Sequence, residues 1–240
     1  MTDLSIRQDD SKRAAAEHAV DEVEDGMVVG LGSGTTAAFA IEAIAARIAN
    51  GLRISGIPTS ESTAALARRL GVPLTDFAEH RHVDLTIDGA DQVERGTLNL
   101  VKGHGGSLLR EKIVASVSRR MIVVVDESKL VERLGGKTPL SVEIVSFGWQ
   151  TVIRRLVALG CAPQLRLAGG KPFITDGGNF IADCRIADMP DPVALEARLS
   201  AIVGVVATGL FISMASSVVV GLVVGVEILR NHEPRGGLAG

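Results

Sequence analysis

Aromatic residues and cysteines are scarce in this chain. Phenylalanine, tryptophan and tyrosine make up 3% of its 240 residues, and tyrosine is absent. With so few large rings and 27 glycines, the composition suits α/β packing, in which helices lie close on a sheet. The two cysteines, Cys161 and Cys184, form no metal-binding pattern, and we expect reduced, structural thiols.

Charge and hydropathy give no sign of a nucleic-acid or membrane partner. The formal net charge is −3, so the chain lacks the basic excess that binds phosphate backbones or acidic membranes. The N-terminal segment has no apolar signal-peptide core. The most apolar run, 218–229, is broken by Gly221, Gly225 and Glu227 and is too short to cross a bilayer. We therefore expect a soluble, cytoplasmic protein.

Strand-like and helix-like segments alternate through the first 131 residues. This alternation predicts a parallel sheet joined by right-handed helical crossovers. The predicted strands are 27–31, 52–57, 72–77, 83–87 and 121–125. The predicted helices are 11–24, 37–49, one opening at 58–63 and one that Ser107 caps.

After Lys129 the pattern changes to shorter elements, which predict a small α+β domain. Its predicted strands are 140–145, 164–167, 173–175 and 180–184, with a hairpin turn at 176–179 and helices at 151–159 and 192–202. Strands at 205–211 and 218–224 are expected to return the chain to the first sheet. We predict one domain from 1–131 with 205–240 and a second from 132–204, with a frayed tail at 233–240.

The densest set of reactive groups lies at 88–115, directly after a buried strand. It consists of two carboxylates, a lysine, a glycine run and a helical glutamate: Asp88, Asp91, Lys102, 103–106 and Glu111. Ligands of open α/β sheets collect at the carboxyl ends of the strands. The stretch therefore predicts a site for an anionic substrate that needs proton transfer.

These residues also have plainer interpretations. Asp-Gly at 88–89 is a common turn signal, and an acid such as Glu111 near a helix start complements the helix dipole. Lys102 would then be a solvated surface lysine. A turn needs neither a second aspartate nor a lysine, however, so the clustering favours the catalytic interpretation.

A second candidate site is the glycine loop 32–36, which lies between a strand and a helix. That order lets backbone N–H groups and the helix dipole hold a phosphate. Close contact of helix and strand would explain the glycines equally well. The loop is not a Walker A motif, because no lysine follows the second glycine. It is not a dinucleotide fingerprint either, because no acidic residue closes the next strand.

Three segments resemble ribose-5-phosphate isomerases of the A type: DGAD at 88–91, KGHGGSLLREK at 102–112 and VDESK at 125–129. The glycine loop and GLF at 209–211 extend the resemblance over nearly the whole chain. It implies a doubly wound, mainly parallel Rossmann-like sheet with a smaller α+β lobe, and a homodimer. It also implies the interconversion of ribose 5-phosphate and ribulose 5-phosphate through an enediolate, in the pentose phosphate pathway. No cofactor or metal is expected.

The resemblance assigns roles to matching residues. Glu111 is the proton acceptor. Lys102 stabilises the enediolate, and the backbone N–H groups of the loop that follows Lys102 assist it. Asp88 and Asp91 bind sugar hydroxyls and assist ring opening and proton transfer at O1 and O2, without the motif showing which does which. The substrate-binding residues implied are Ser33, Gly34, Thr35, Thr36, Gly89, Ala90, Gly103, His104, Gly105 and Lys129.

The chain departs from the family pattern in the glycine run and after GLF. His104 replaces a usual glycine, so the loop has either a negative φ there or a strained residue. Ser216 and Leu222 stand where an aspartate and a glycine-threonine pair are usual, which bears on stability or a subunit contact.

Three other functions are weighed against the isomerase. They are a non-catalytic sugar-phosphate sensor, a nicotinamide-dependent enzyme and a deaminating isomerase of amino-sugar phosphates. A sensor domain is disfavoured because the chain shows no helix-turn-helix or basic tail. A nicotinamide-dependent enzyme is disfavoured because no acidic residue follows the second predicted strand. A deaminating isomerase is disfavoured because the chain shows no histidine-based ring-opening site.

Overall fold

The computed structural model describes residues 3–231, with side chains from residue 8 onward. The predicted frayed tail at 233–240 lies outside the described residues. The helices are α1 (Asp3–Val20), α2 (Thr35–Ala49), α3 (Glu61–Arg69), α4 (Leu108–Ser116), α5 (Trp149–Ala158) and α6 (Pro192–Ser200), with a 3-10 turn at Glu127–Lys129.

Most of the strands are short, and helices separate those that form the parallel part of the central sheet. They are β1 (Val28–Leu31), β2 (Ser55–Pro58), β3 (Val83–Asp88), β4 (Gln92–Glu94), β5 (Leu100–Val101), β6 (Ser118–Asp126), β7 (Leu130–Val131) and β8 (Leu140–Ile144). The later ones are β9 (Ala162–Leu165), β10 (Leu167–Ala168), β11 (Lys171–Pro172), β12 (Phe180–Arg185), β13 (Val205–Thr208), β14 (Leu210–Phe211), β15 (Ser217–Gly221) and β16 (Val226–Arg230).

The central sheet has the order β16-β15-β6-β3-β1-β2, and only β16 runs antiparallel to its neighbour. From β1 the chain first goes outward to β2 and then returns to β3 on the other side. The sheet is therefore doubly wound, as predicted, and its topological switch point lies between β1 and β3. A crevice for ligands is expected outside the carboxyl ends of these two strands.

Side chains alternate between the two faces of the central strands. Ile122 and Val124 of β6 belong to the same core cluster as apolar residues of α1 and α2. Met121, Val123 and Val125 instead contact a second cluster that includes β4, β5 and β14. Burial on both faces explains why β6 reads as a continuous apolar run.

Three smaller sheets complete the described part of the fold, and one of them is the two-stranded sheet of β10 and β11. The small sheet has the order β13-β8-β12-β9 and shares a core with α5 and α6. A further four-stranded sheet has the order β14-β5-β4-β7, and all of its strands lie in the first predicted domain, 1–131 with 205–240. The proposed division at 131/132 and 204/205 stays a prediction. Cys161 and Cys184 are free and buried in the small-sheet core.

The structure corrects several predicted elements. The first helix begins by Asp3 rather than at residue 11, because no glycine or proline precedes Gly26. Residues 72–77 form a single bridge, Gly56 with Leu74, since Pro73 has no N–H to donate to a strand ladder.

Further corrections concern the second half. Residues 173–175 are not a strand. The hairpin of this region lies earlier in the chain, between β10 and β11, and Gly169 and Gly170 form its turn at positive φ. The segment 205–211 does not return the chain to the central sheet. It divides into β13, which pairs with β8, and β14, which pairs with β5, and β15 makes the return.

Candidate active site

The two loops at the switch point are fixed to each other through Asp88. The N–H groups of Ser33 and Gly89 donate to Asp88 Oδ1 at 3.1 and 2.8 Å. A Cβ at Gly32 would lie 2.3 Å from the same oxygen, so this position accepts only glycine. Asp88 therefore joins the glycine loop to the end of β3.

A buried ion cluster surrounds Lys102. Its Nζ lies 3.0 Å from Asp88 Oδ2 and 3.2 Å from Glu111 Oε2, and it donates to the carbonyl of Gly89 at 2.6 Å. The side chains of Lys102, Asp88 and Glu111 are only 4%, 1% and 7% exposed. Solvent screens such a cluster little, so each charge strongly perturbs the others.

The protonation of this cluster follows from burial and charge. Burial by itself lowers the pKa of Lys102, but the negative charges of Asp88 and Glu111 outweigh burial and raise it. Burial also raises the pKa of Glu111 to about 8; the charge of Lys102 opposes this change and that of Asp88 adds to it. Glu111 can therefore both accept and release a proton near neutral pH, as an acid–base group must.

The glycine run forms a tight loop after Lys102. Gly103 and Gly106 have φ of 116° and 87°, and a Cβ at either would lie under 3.0 Å from Ser141 or Phe173. His104 is exposed and is not among the residues at positive φ, so the loop accepts it without backbone strain. Its N–H donates to Asp91 Oδ2 at 2.9 Å.

The glycine loop before α2 has free donors for an anion. Gly34 occupies the N-cap with φ of 90° and provides no side-chain cap, so N–H groups of the first turn stay open. The hydroxyl of Ser33 instead contacts those of Thr59, Ser60 and Thr63 at 2.8 to 3.1 Å. Ser60 also caps α3, since its side chain accepts a hydrogen bond from the N–H of Thr63.

A cavity of about 380 Å³ lies where these loops meet. Of the predicted site residues, only Asp88 is missing from its lining, because Asp88 lies buried beside Lys102. The predicted residues that line it are Ser33, Gly34, Thr35, Thr36, Gly89, Ala90, Asp91, Lys102, Gly103, His104, Gly105, Glu111 and Lys129. A larger groove of about 600 Å³ beside α3 is lined by none of them.

Three residues that line the cavity were not predicted as site residues: Lys12, Ser62 and Ser107. Ser107 occupies the N-cap of α4, but its side chain makes no capping hydrogen bond. Lys12 comes from α1, and its Nζ lies 3.9 Å from Asp126 Oδ2. The Lys-Arg pair at 12–13 was its only signal in the sequence, because no local pattern shows which face of α1 meets the cavity.

Nothing within residues 8–231 is arranged as a metal centre: no three His, Cys, Asp or Glu side chains there group to hold an ion. The helices of the described part are also too short or too polar to span a bilayer. The fold and the cavity thus define an α/β enzyme whose buried acid–base group lies beside a loop suited to an anion.

The chain belongs to the ribose 5-phosphate isomerase A (phosphoriboisomerase A) family, whose model matches residues 55–225. Ribose-5-phosphate isomerase A of Gloeobacter violaceus is 54% identical over 91% of this chain and 95% of its own length. The enzyme of Gluconobacter oxydans is 49% identical over 94% and 97%.

Solved structures agree with this membership. Ribose 5-phosphate isomerase A of Methanocaldococcus jannaschii is 42% identical, with a TM-score of 0.89 over 92% of this chain and 99% of that chain. A D-ribose-5-phosphate isomerase solved with phospho-erythronic acid is 36% identical, with a TM-score of 0.90 over 93% and 99%. The predicted family and fold class are confirmed.

Proposed function

We propose that the cavity interconverts D-ribose 5-phosphate and D-ribulose 5-phosphate, with Glu111 as the base that moves the proton between C2 and C1. One observation carries these roles. Glu111 lines the cavity, is buried, and lies 3.2 Å from the ammonium group of Lys102. A carboxylate and a fixed cation at this distance match the two needs of an enediolate mechanism.

In the forward direction, Glu111 takes the proton from C2 of the open aldose. The electrons form the C1–C2 double bond, and the charge that develops on the carbonyl oxygen O1 is stabilised by Lys102. Return of the proton to C1, together with transfer of the hydroxyl proton from O2 to O1, leaves the ketose. Lys102 keeps its charge throughout because Asp88 and Glu111 raise its pKa.

The two aspartates have different surroundings, and these support different roles. Asp91 lines the cavity, whereas Asp88 is buried and bonded to Lys102 and to two backbone N–H groups. We assign Asp91 to contact with the sugar hydroxyls, including ring opening and the O1/O2 proton. Asp88 then holds Lys102 and the glycine loop in place.

We assign the binding of the substrate phosphate to the N-terminus of α2 and to two lysines. Thr35 and Thr36 line the cavity at the open helix N-terminus. Lys12 and Lys129 also line it, and within residues 8–231 Lys129 forms no ion pair. Anchoring the phosphate there would keep the reacting carbons beside Glu111.

The test is direct. Purified protein is mixed with ribose 5-phosphate and a chelator, without nucleotide, and ketose formation is followed. We expect turnover in the wild type and none above background in Glu111→Gln. Binding of ribose 5-phosphate without turnover would instead indicate a sensor, which family membership does not favour.

The finer expectations of a homodimer and a cytoplasmic location belong to the same proposal. Large apolar side chains lie fully in solvent on a single copy, including Phe147 at 93% and Val224 at 88% exposed. Exposed apolar surface of this kind is typical of subunit contacts. Light scattering of the purified protein should give twice the chain mass; a monomer at micromolar concentration would contradict the dimer.

A further inference from the structure

Arg166 belongs to the small-sheet region, between β9 and β10, and does not line the cavity. Its guanidinium nevertheless reaches the loop that follows Lys102. Nη1 donates to the carbonyl oxygens of Gly103 and His104, at 3.0 Å in each case. One side chain thus holds two successive peptide groups of the candidate active site.

These two contacts set the direction of the loop N–H groups. In a trans peptide the C=O and the N–H point in opposite directions. With the carbonyl of Gly103 held by Arg166, the N–H of His104 points the other way and donates to Asp91 at 2.9 Å. With the carbonyl of His104 held as well, the N–H of Gly105 is directed away from Arg166, on the side of the cavity that Gly105 lines. No hydrogen bond within the described part of the chain uses that N–H.

Arg166 is itself rigidly held by the small sheet. Nε and Nη2 bind the carboxylate of Asp183 on β12, and Nη2 also donates to Ser141 Oγ on β8 at 2.9 Å. Ser141 Oγ in turn donates to Asp183 Oδ1 at 3.0 Å. With the two carbonyls, all five N–H donors of the guanidinium are used, a geometry that a lysine cannot reproduce.

We propose that Arg166 is a positioning residue for the isomerisation. It fixes the loop from the small sheet, so that Asp91 is oriented and the N–H of Gly105 is free to donate to an oxygen of the substrate. This inference rests on the proposed function, and it extends the active site to residues that never touch the sugar phosphate. Because the loop acts on the reacting end, Arg166 should matter more for kcat than for KM.

The test compares Arg166→Ala with Arg185→Ala, a control on the same strand as Asp183 whose arginine is exposed. We expect kcat of Arg166→Ala to fall about 100-fold with KM little changed, since small misplacements at a reacting centre have effects of this size. Added guanidinium chloride should restore part of kcat in Arg166→Ala, and ammonium chloride should not. Arg166→Lys should stay impaired, and the control should match the wild type.

Asp183→Asn provides a second route if Arg166→Ala does not fold. It keeps the arginine but removes the charge that orients it, so kcat should again fall more than KM rises. A folded Arg166→Ala with the control's kcat, or with a loss confined to KM, would overturn the inference. An inactive wild-type protein would refute the proposed function and this inference together. An active wild type with an unaffected Arg166→Ala would refute the inference alone, so the two failures are distinguishable.

Discussion

The substitution Glu111→Gln changes one oxygen into an amide nitrogen and leaves the volume of the side chain unchanged. The amide cannot accept the C2 proton, so the step that defines the reaction loses its base. Lys102 lies 3.0 Å from Asp88 in the wild type, and the substitution leaves this buried partner of the cation in place. We therefore expect the fold to survive and isomerisation to be lost.

The size of the loss follows from the role. General-base catalysis by a positioned group contributes up to about 10⁴-fold, and for a sole base we expect a fall in kcat of about 10³-fold. That corresponds to about 4 kcal/mol of transition-state stabilisation. Glu111→Asp, which keeps the carboxylate but shortens its reach, is a useful companion and should retain more activity than the amide.

The raised pKa of Glu111 makes the same prediction depend on pH. The base acts when ionised, so kcat/KM of the wild type should rise with pH towards about 8 and then level off. The free energy of unfolding should instead decrease as the pH rises. The pKa in the folded state, about 8, lies above the ordinary 4.5, so the folded protein holds an extra proton between these values. The stability of the wild type relative to Glu111→Gln should therefore decrease as pH rises through this window.

Initial rates of ketose formation over a pH series measure the first effect, and urea unfolding of both proteins at the same pH values measures the second. A folded Glu111→Gln that keeps more than a tenth of wild-type turnover would refute the assignment of Glu111 as the base. Parallel stability curves for the two proteins would refute the burial-driven pKa.

Three further outcomes are expected. Lys102→Met should lower kcat by about 10²-fold for the lost donor. It should also lower the free energy of unfolding by about 3 kcal/mol or more, because the buried Asp88 loses its cation; unchanged urea unfolding would contradict this. Thr35→Ala and Thr36→Ala should mainly raise KM, and free ribose should be a very poor substrate; equal rates for ribose and ribose 5-phosphate would exclude the phosphate loop. Dialysis against a chelator should leave the wild type active. Loss of activity that Mn²⁺ or Zn²⁺ restores would contradict this and would indicate that the aspartates bind a metal ion.

Local sequence determined much of the fold and most of the cavity lining. The buried strand before Asp88, the helix after the glycine run and the glycine loop between β1 and α2 all have patterns contained within about ten residues. The carboxyl ends of parallel strands meet at one edge of a sheet, so each pattern could be assigned to that edge. That the glycine loop belongs to the same site as Asp88, Lys102 and Glu111 was implied only by the family resemblance. Glycines at 103 and 106 follow the same logic, since their backbone needs a positive φ.

Tertiary structure alone decided which groups are buried and which face the substrate. The motif treats Asp88 and Asp91 alike, yet only Asp91 lines the cavity. The raised pKa of Glu111 results from burial, which no local pattern specifies. Lys12 and Arg166 reach the site from α1 and from the small sheet, across 90 and 62 positions of sequence from Lys102 and His104. Periodicity and turn signals indicate the structural preference of each segment. Contacts between residues so far apart in sequence depend instead on how the helices and sheets pack in space.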